Sequence, residues 1–261
     1  MTDVLEALDS VTDPELDRSI VELEYVDAVD INGAHVLVRI TLPTAWCSPA
    51  FAWMMIADAR DAIETAPTVE EATVVLEAHM HDEEITRGVN DRRSFAETFS
   101  DADGDLEAVR AELDEKARTA RQYDAVETLL DAGLDPAQIV DLRGRDLESP
   151  ERLGLESDRP DHERDGVDHE TIVYLHDRTL AVSVPTEPLE SYLEKARDVD
   201  VVTSPDDVLF RTPEGDTIHP EEFDLVHRRC RLARVNMSVQ GGVCSGLHEA
   251  RQQRLEQTTT E

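Results

Sequence analysis

The chain has 261 residues, room for one large or two small domains, and carries 59 acidic residues against 25 basic ones for a net charge of −34. The acids are spread along its whole length and no basic stripe is visible, which argues against binding nucleic-acid phosphates. No run of about 18 apolar residues occurs and no basic-then-apolar stretch opens the chain, so the sequence predicts a soluble, cytoplasmic protein that does not bind membranes.

Val4, Leu5, Leu8 and Val11 recur at helical spacing. Thr12-Asp13-Pro14 should end that helix, because the residue before a proline is pushed out of the helical region. Asp13-Pro14-Glu15 then reads as a turn that holds two carboxylates close together. Tyr25–Ile31 and Ala34–Leu42 flank Asn32-Gly33, a strong two-residue hairpin signal. On the second of these strands Val36, Val38, Ile40 and Leu42 share a face.

Thr44-Ala45-Trp46-Cys47-Ser48-Pro49 follows and leads into an amphipathic helix over Ala50–Ile63. The Ser48 hydroxyl can cap orphan amides, and Pro49 fits the first helical position. Cys47 then sits just ahead of the cap, where the helix field favours the thiolate, the form that attacks electrophiles and binds metals. The competing reading makes Cys47 a small buried apolar side chain, as most free cysteines are. Ala72, Val74 and Leu76 alternate in a third strand. The order is helix, hairpin, helix, strand, a small α/β unit ending near residue 78.

These residues carry a resemblance. Asp13-Pro14-Glu15, then Ser19-Ile20-Val21 before the hairpin, then Thr44, Cys47 and Pro49 before a helix, resemble the metal–sulfur cluster assembly factor family of SufT and PaaD. The likeness covers about residues 4–78. It implies that the cysteine and the acidic turn lie near one another at one end of the sheet, which carries over onto Cys47, Asp13 and Glu15, with Thr44 as a supporting hydroxyl and no catalytic residue. It also implies iron or an iron–sulfur cluster as transient cargo. The implied partners are a client metalloprotein and the iron–sulfur assembly machinery, with cluster sharing across a homodimer as one arrangement. The likeness to PaaD implies an alternative, a non-enzymatic accessory protein that assembles the subunits of a multicomponent di-iron oxygenase. In this chain Ser48 separates the cysteine from the proline, and His79-Met80-His81-Asp82-Glu83-Glu84 replaces the family's Pro-x-Trp ending.

That replacement offers ligands of its own. His79 and His81 with Glu83 and Glu84 would suit iron or zinc, and the competing reading is a solvated, charged linker. A Cys–His hydrolase or transferase, pairing Cys47 with His35, His79 or His81, ranks last because no base sits at a recognisable spacing.

Beyond about Phe95 the periodicity is helical. Leu106, Val109, Leu113, Ala117 and Ala120, then Val126, Leu129 and Leu130, mark one long helix or a broken pair that stops at Gly133. Asp135-Pro136 caps a short helix through Leu142. Residues 144–168 are charged and aperiodic and read as a loop. Thr171–Leu175 and Leu180–Val184 form a second hairpin, Pro188–Ala196 a helix, Val208–Phe210 a short strand and Pro220–Arg234 another helix. Val235, Met237 and Val239 alternate. Gln240–Leu247 then places Cys244 beside glycines at a helix start, a second candidate for handling a cluster, while Cys230 reads as structural. This half resembles the catalytic domain of tyrosine recombinases around Gly133-Leu134 and Val208-Leu209-Phe210, but Asp135 stands where that family carries its catalytic arginine.

The expected fold class is therefore α/β (α+β). Residues 1–80 make a small helix–hairpin–helix–strand domain, 81–100 a linker, and 101–261 a mainly helical, client-binding domain with a β-hairpin. With only two lysines and its acidic surface, the chain resembles a salt-adapted protein of haloarchaeal type.

Overall fold

The computed structural model describes residues 2–100, 105–148, 170–176 and 178–238. The hairpin turn expected at Asn32-Gly33 forms, with Gly33 at φ +66°, a left-handed conformation that glycine adopts at little cost. It joins β3 (Val26–Asn32) to β4 (His35–Thr41) as an antiparallel pair, with Asn32 opposite His35. The chain crosses through α2 (Pro49–Glu64) and returns as β5 (Glu71–Glu77), parallel to β4 with Val38 opposite Val74. A parallel neighbour requires such a crossover, because a two-residue turn cannot reverse the direction twice. Ahead of this sheet lie α1 (Thr2–Asp9) and a two-stranded ribbon, β1 (Thr12–Asp13) with β2 (Arg18–Ser19).

Alternation along the strands decides the core. Val36, Val38, Ile40, Leu42, Ala72, Val74 and Leu76 are all buried, and α2 covers them with Trp53, Met55, Ile56, Ala59 and Ile63. Each fully buried Val or Ile here contributes about 1.5–3 kcal/mol relative to exposure.

The span 81–100, expected as a linker, carries α3 (Asp82–Asn90) and α4 (Phe95–Thr98). Ile85 and Val89 of α3 are buried in the same core. Gly88 permits close approach, since a Cβ there would lie 2.7 Å from the Trp53 ring and 2.5 Å from Thr98 Oγ1. Helix α3 also satisfies the outer edge of β5: the Val74 N–H donates to Asn90 Oδ1 at 3.1 Å, Asn90 Nδ2 donates back to Val74 O at 2.8 Å, and the Leu76 N–H donates to Thr86 Oγ1 at 3.0 Å. Edge strands left open invite unwanted pairing, and side-chain caps of this kind close them.

The chain divides into two compact units, Met1–Leu113 with Met237–Glu261, and Asp114–Asn236. The long periodic stretch forms one helix, α5 (Leu106–Asp131), rather than a broken pair. It ends at Gly133 (φ +92°), where the Leu134 N–H bonds back to Leu129 O at 3.1 Å. Asp135 caps α6 (Pro136–Asp141) through a reciprocal capping box with Gln138. A three-stranded antiparallel sheet follows, β6 (Leu147–Glu148), β7 (Glu170–Leu175) and β8 (Leu180–Pro185), then α7 (Thr186–Asp198) and α8, helical over residues 223–238. Leu129, Ile139, Val173, Tyr192 and Phe210 are among its buried core.

Three local expectations are corrected. Val208–Phe210 is not a strand: among the described residues Val208 makes only an isolated bridge to Arg143. Residues 144–148 are not loop throughout but supply a 3-10 turn and β6. The alternation of Val235 and Met237 falls within α8. Residues 149–168 and 240–247, with Cys244, lie outside the described residues. The architecture is mixed α/β, a small N-terminal sheet domain followed by a mainly helical region with a β-hairpin.

Candidate functional site

The parallel pair β4 and β5 brings two connections together at one end of the sheet: the Thr44–Ser48 loop that leaves β4, and Ala78–His81 that leaves β5. Open α/β sheets tend to bind their ligands at such carboxyl ends of parallel strands. Thr44 shapes the first loop. Its hydroxyl accepts the Trp46 N–H at 3.2 Å and its carbonyl accepts the Cys47 N–H at 3.4 Å. Cys47 is half-buried, packs against the N-terminal core, and directly precedes Ser48, the N-cap residue of α2. Pro49 occupies the first helical position as expected, but the Ser48 side chain makes no capping bond.

His79 is the residue whose role differs most from its expected one. It is 6% exposed. Its Nε2 lies 3.0 Å from Cys47 O, and its Nδ1 accepts the His81 N–H at 3.1 Å. A carbonyl can only accept and an amide can only donate, so the ring proton belongs on Nε2 and both nitrogens are occupied by backbone. In this arrangement His79 braces the Cys47 loop against the start of α3. The Met80 N–H adds a second tie, to Ala45 O at 3.1 Å.

His81 is the N-cap residue of α3, with its ring edge-on to Phe99 at 5.5 Å and Nδ1 4.0 Å from Glu84 Oε2. Asp82, Glu83 and Glu84 form the first turn of α3, where negative charge complements the helix dipole. The two imidazole rings are 6.1 Å apart.

The acidic turn forms as expected, and its first carboxylate is committed. Asp13 is 7% exposed; Oδ1 accepts the N–H groups of Glu15 at 2.9 Å and Leu16 at 3.1 Å, and Oδ2 accepts the Tyr25 hydroxyl at 3.3 Å. Burial raises its pKa above the ordinary carboxylate value, partly offset by those donors. Glu15 is half-buried beside it. Among the described residues, no three His, Cys, Asp or Glu side chains converge as ligands for a metal ion.

His35 stands at the opposite end of the sheet. It opens β4 and pairs with Glu71 at 3.0 Å, while Cys47 follows the far end of that strand, roughly 20 Å along at about 3.3 Å per residue. Cys230 is 1% exposed in the second unit, with the Gln122 amide 3.6 Å from its sulfur, and burial pushes its thiol up to about 11.

Residues 1–74 match the family model described as iron-sulfur cluster assembly protein. The match supports a metal–sulfur cluster assembly family for the N-terminal region. No curated protein matches the chain. The family gives this region a general role in iron–sulfur cluster assembly, involves it with iron or iron–sulfur centres and with the assembly machinery or its clients, and points to an accessory rather than a catalytic part. Among the described residues no helix is long and apolar enough to cross a membrane. The braced loop around His79 could not have been found by motif, since its signal is spatial: two strand ends meet only because β4 and β5 run parallel.

Proposed function

We propose that this protein is an assembly factor that handles iron or an iron–sulfur cluster in transit to a client metalloprotein, with Cys47 as the contact ligand. The observation that supports this most is the placement of Cys47, half-buried at the start of α2 in a loop tied by Thr44 and His79, inside the region that matches the family. The cluster is cargo rather than a resident group, because stable clusters take about four thiolates and this loop offers one. Handling then proceeds by ligand exchange. The Cys47 thiolate forms a new Fe–S bond as a thiolate of the donor leaves, and the departing sulfur takes up the proton that Cys47 released, so charge balances without a redox step. Thr44 and His79 hold the loop in place for this. Asp13 and Glu15 shape the turn between β1 and β2, with the Asp13 carboxylate bonded to backbone and to Tyr25. Cys244 is a further candidate to join Cys47, and the region after residue 100 is assigned to client selection.

The test is anaerobic reconstitution of the full chain, measuring iron, sulfide and visible absorption on wild type, Cys47→Ser and Cys244→Ser. Loss of iron and sulfide in Cys47→Ser supports the reading. Retention of both in Cys47→Ser overturns it, and co-purification of oxygenase subunits with iron-free wild type would favour the oxygenase-assembly alternative.

A further inference from the structure

Two exposed apolar side chains flank the Cys47 loop, and neither the core nor the cluster chemistry employs them. Trp46 is 76% exposed and Met80 is 53% exposed. Trp46 is the most exposed large apolar side chain among the described residues, and an indole held in water forgoes the burial that usually makes tryptophan stabilising. The backbone beneath both residues is fastened. The Met80 N–H bonds to Ala45 O, the Trp46 N–H bonds to the Thr44 hydroxyl, and His79 bonds to Cys47 O. Both side chains are therefore displayed from a fixed scaffold, immediately before Cys47 in one connection and immediately after His79 in the other. Beside them the first turn of α3 exposes Glu83 and Glu84. The exposed Ile31 lies elsewhere, near the hairpin turn at the opposite end of the strands.

We propose that Trp46 and Met80 form the docking platform for the recipient of the cluster, an apo-metalloprotein whose cysteine ligands lie beside an apolar patch with a basic rim. This rests on the reading of Cys47 given above. The occupant follows from ligand arithmetic and charge. A cluster needs about four thiolates. A second copy of this chain adds one further thiolate at this surface, Cys47, and reaches four only when Cys244 of both copies joins, whereas a recipient brings its own full set across the same surface. Glu83 and Glu84 favour a basic rim on that recipient and disfavour a second acidic copy. Tryptophan is among the commonest residues to dominate interface energetics, and methionine adapts to more than one partner surface.

The experiment places the photo-crosslinker benzoylphenylalanine at Met80 of the full chain in the cells that make it, with the same group at Ile31 as control, and identifies adducts by mass spectrometry. Position 80 is expected to crosslink to proteins with cysteine-ligated iron sites. Yield should fall at least ten-fold with Trp46→Ala or with Glu83→Lys combined with Glu84→Lys, and persist with Trp46→Phe and with Cys47→Ser. The proposal is overturned by adducts identical to those at position 31, by adducts to a second copy of this chain, by yields indifferent to Trp46→Ala, or by no adduct. If the adducts behave as expected while Cys47→Ser leaves the recipients' iron content unchanged, the docking platform stands and the cluster-handling reading fails.

Discussion

Replacing His79 by alanine removes a side chain that ties the Cys47 loop to the start of α3. Two hydrogen bonds disappear, Nε2 to Cys47 O at 3.0 Å and His81 N–H to Nδ1 at 3.1 Å. A neutral hydrogen bond contributes about 0.5–1.5 kcal/mol net, so the pair is worth about 1–3 kcal/mol. Cys47 and His81 are both half-buried, so water can reach the orphaned carbonyl and amide, which favours the lower half of that range. Loss of the imidazole from a site 6% exposed acts in the opposite direction by leaving a cavity. The net expectation is a destabilisation of about 2 kcal/mol, read from denaturant unfolding in molar potassium chloride. The same variant should change the alkylation rate of Cys47 several-fold, because the loop that positions the thiol is released. An unfolding midpoint and a Cys47 alkylation rate both equal to wild type would show that the brace does not hold the loop and would refute the reasoning.

Three further outcomes follow from the same geometry. Cys230, with its thiol near 11 and buried, is only roughly 0.03% thiolate at pH 7.5, so it should alkylate only on unfolding while Cys47 reacts in the native state; equal rates by peptide mapping would displace the site. Burial raises the pKa of Asp13 in the folded chain above the ordinary 3.8, so the unfolded chain releases this proton first and stability falls as pH rises from 3.8 through the folded value. Asp13→Asn keeps an oxygen for the Glu15 and Leu16 amides and should be as stable as wild type or more so at pH 7, with a flatter acid limb in melts from pH 3 to 7; a much less stable variant with an unchanged limb counts against that account. A net charge of −34 should make folding salt-dependent, since the screening length falls from about 10 Å at 0.1 M to about 3 Å at 1 M, and a thermal melting series flat in potassium chloride would remove salt adaptation as the reason for the acidity.

The elements that local chemistry specifies are legible in the chain itself. Asn32-Gly33 reads as a tight turn, Gly133 ends a helix, Pro49 starts one, and the alternation from Val36 to Leu42 names the face that meets α2, whereas α1 stops at Asp9, short of the Thr12-Asp13-Pro14 end expected for it. The family likeness is equally local, carried by short motifs in order along the first 74 residues. What escapes is decided by contacts between distant segments. Ile85 and Val89 lie at helical spacing, and Ser94 to Glu97 is a capping box, yet the acids at 82–84 make 81–100 look like a solvated linker; the segment is held by its packing on Trp53 and its bonds to the edge of β5. Val208–Phe210 has strand-like composition but, among the described residues, pairs only through one bridge, and a strand exists only where another backbone lies alongside. Apart from the Ser48 cap, whose side-chain bond does not form, the turns, the Asp135 cap, the buried face and the candidate cysteine thus come from residue order alone, since each depends on neighbours a few positions away. The role of His79 as a brace with both nitrogens bonded to backbone does not, because only the parallel pairing of β4 and β5 brings residues 32 positions apart within 3.0 Å of one another.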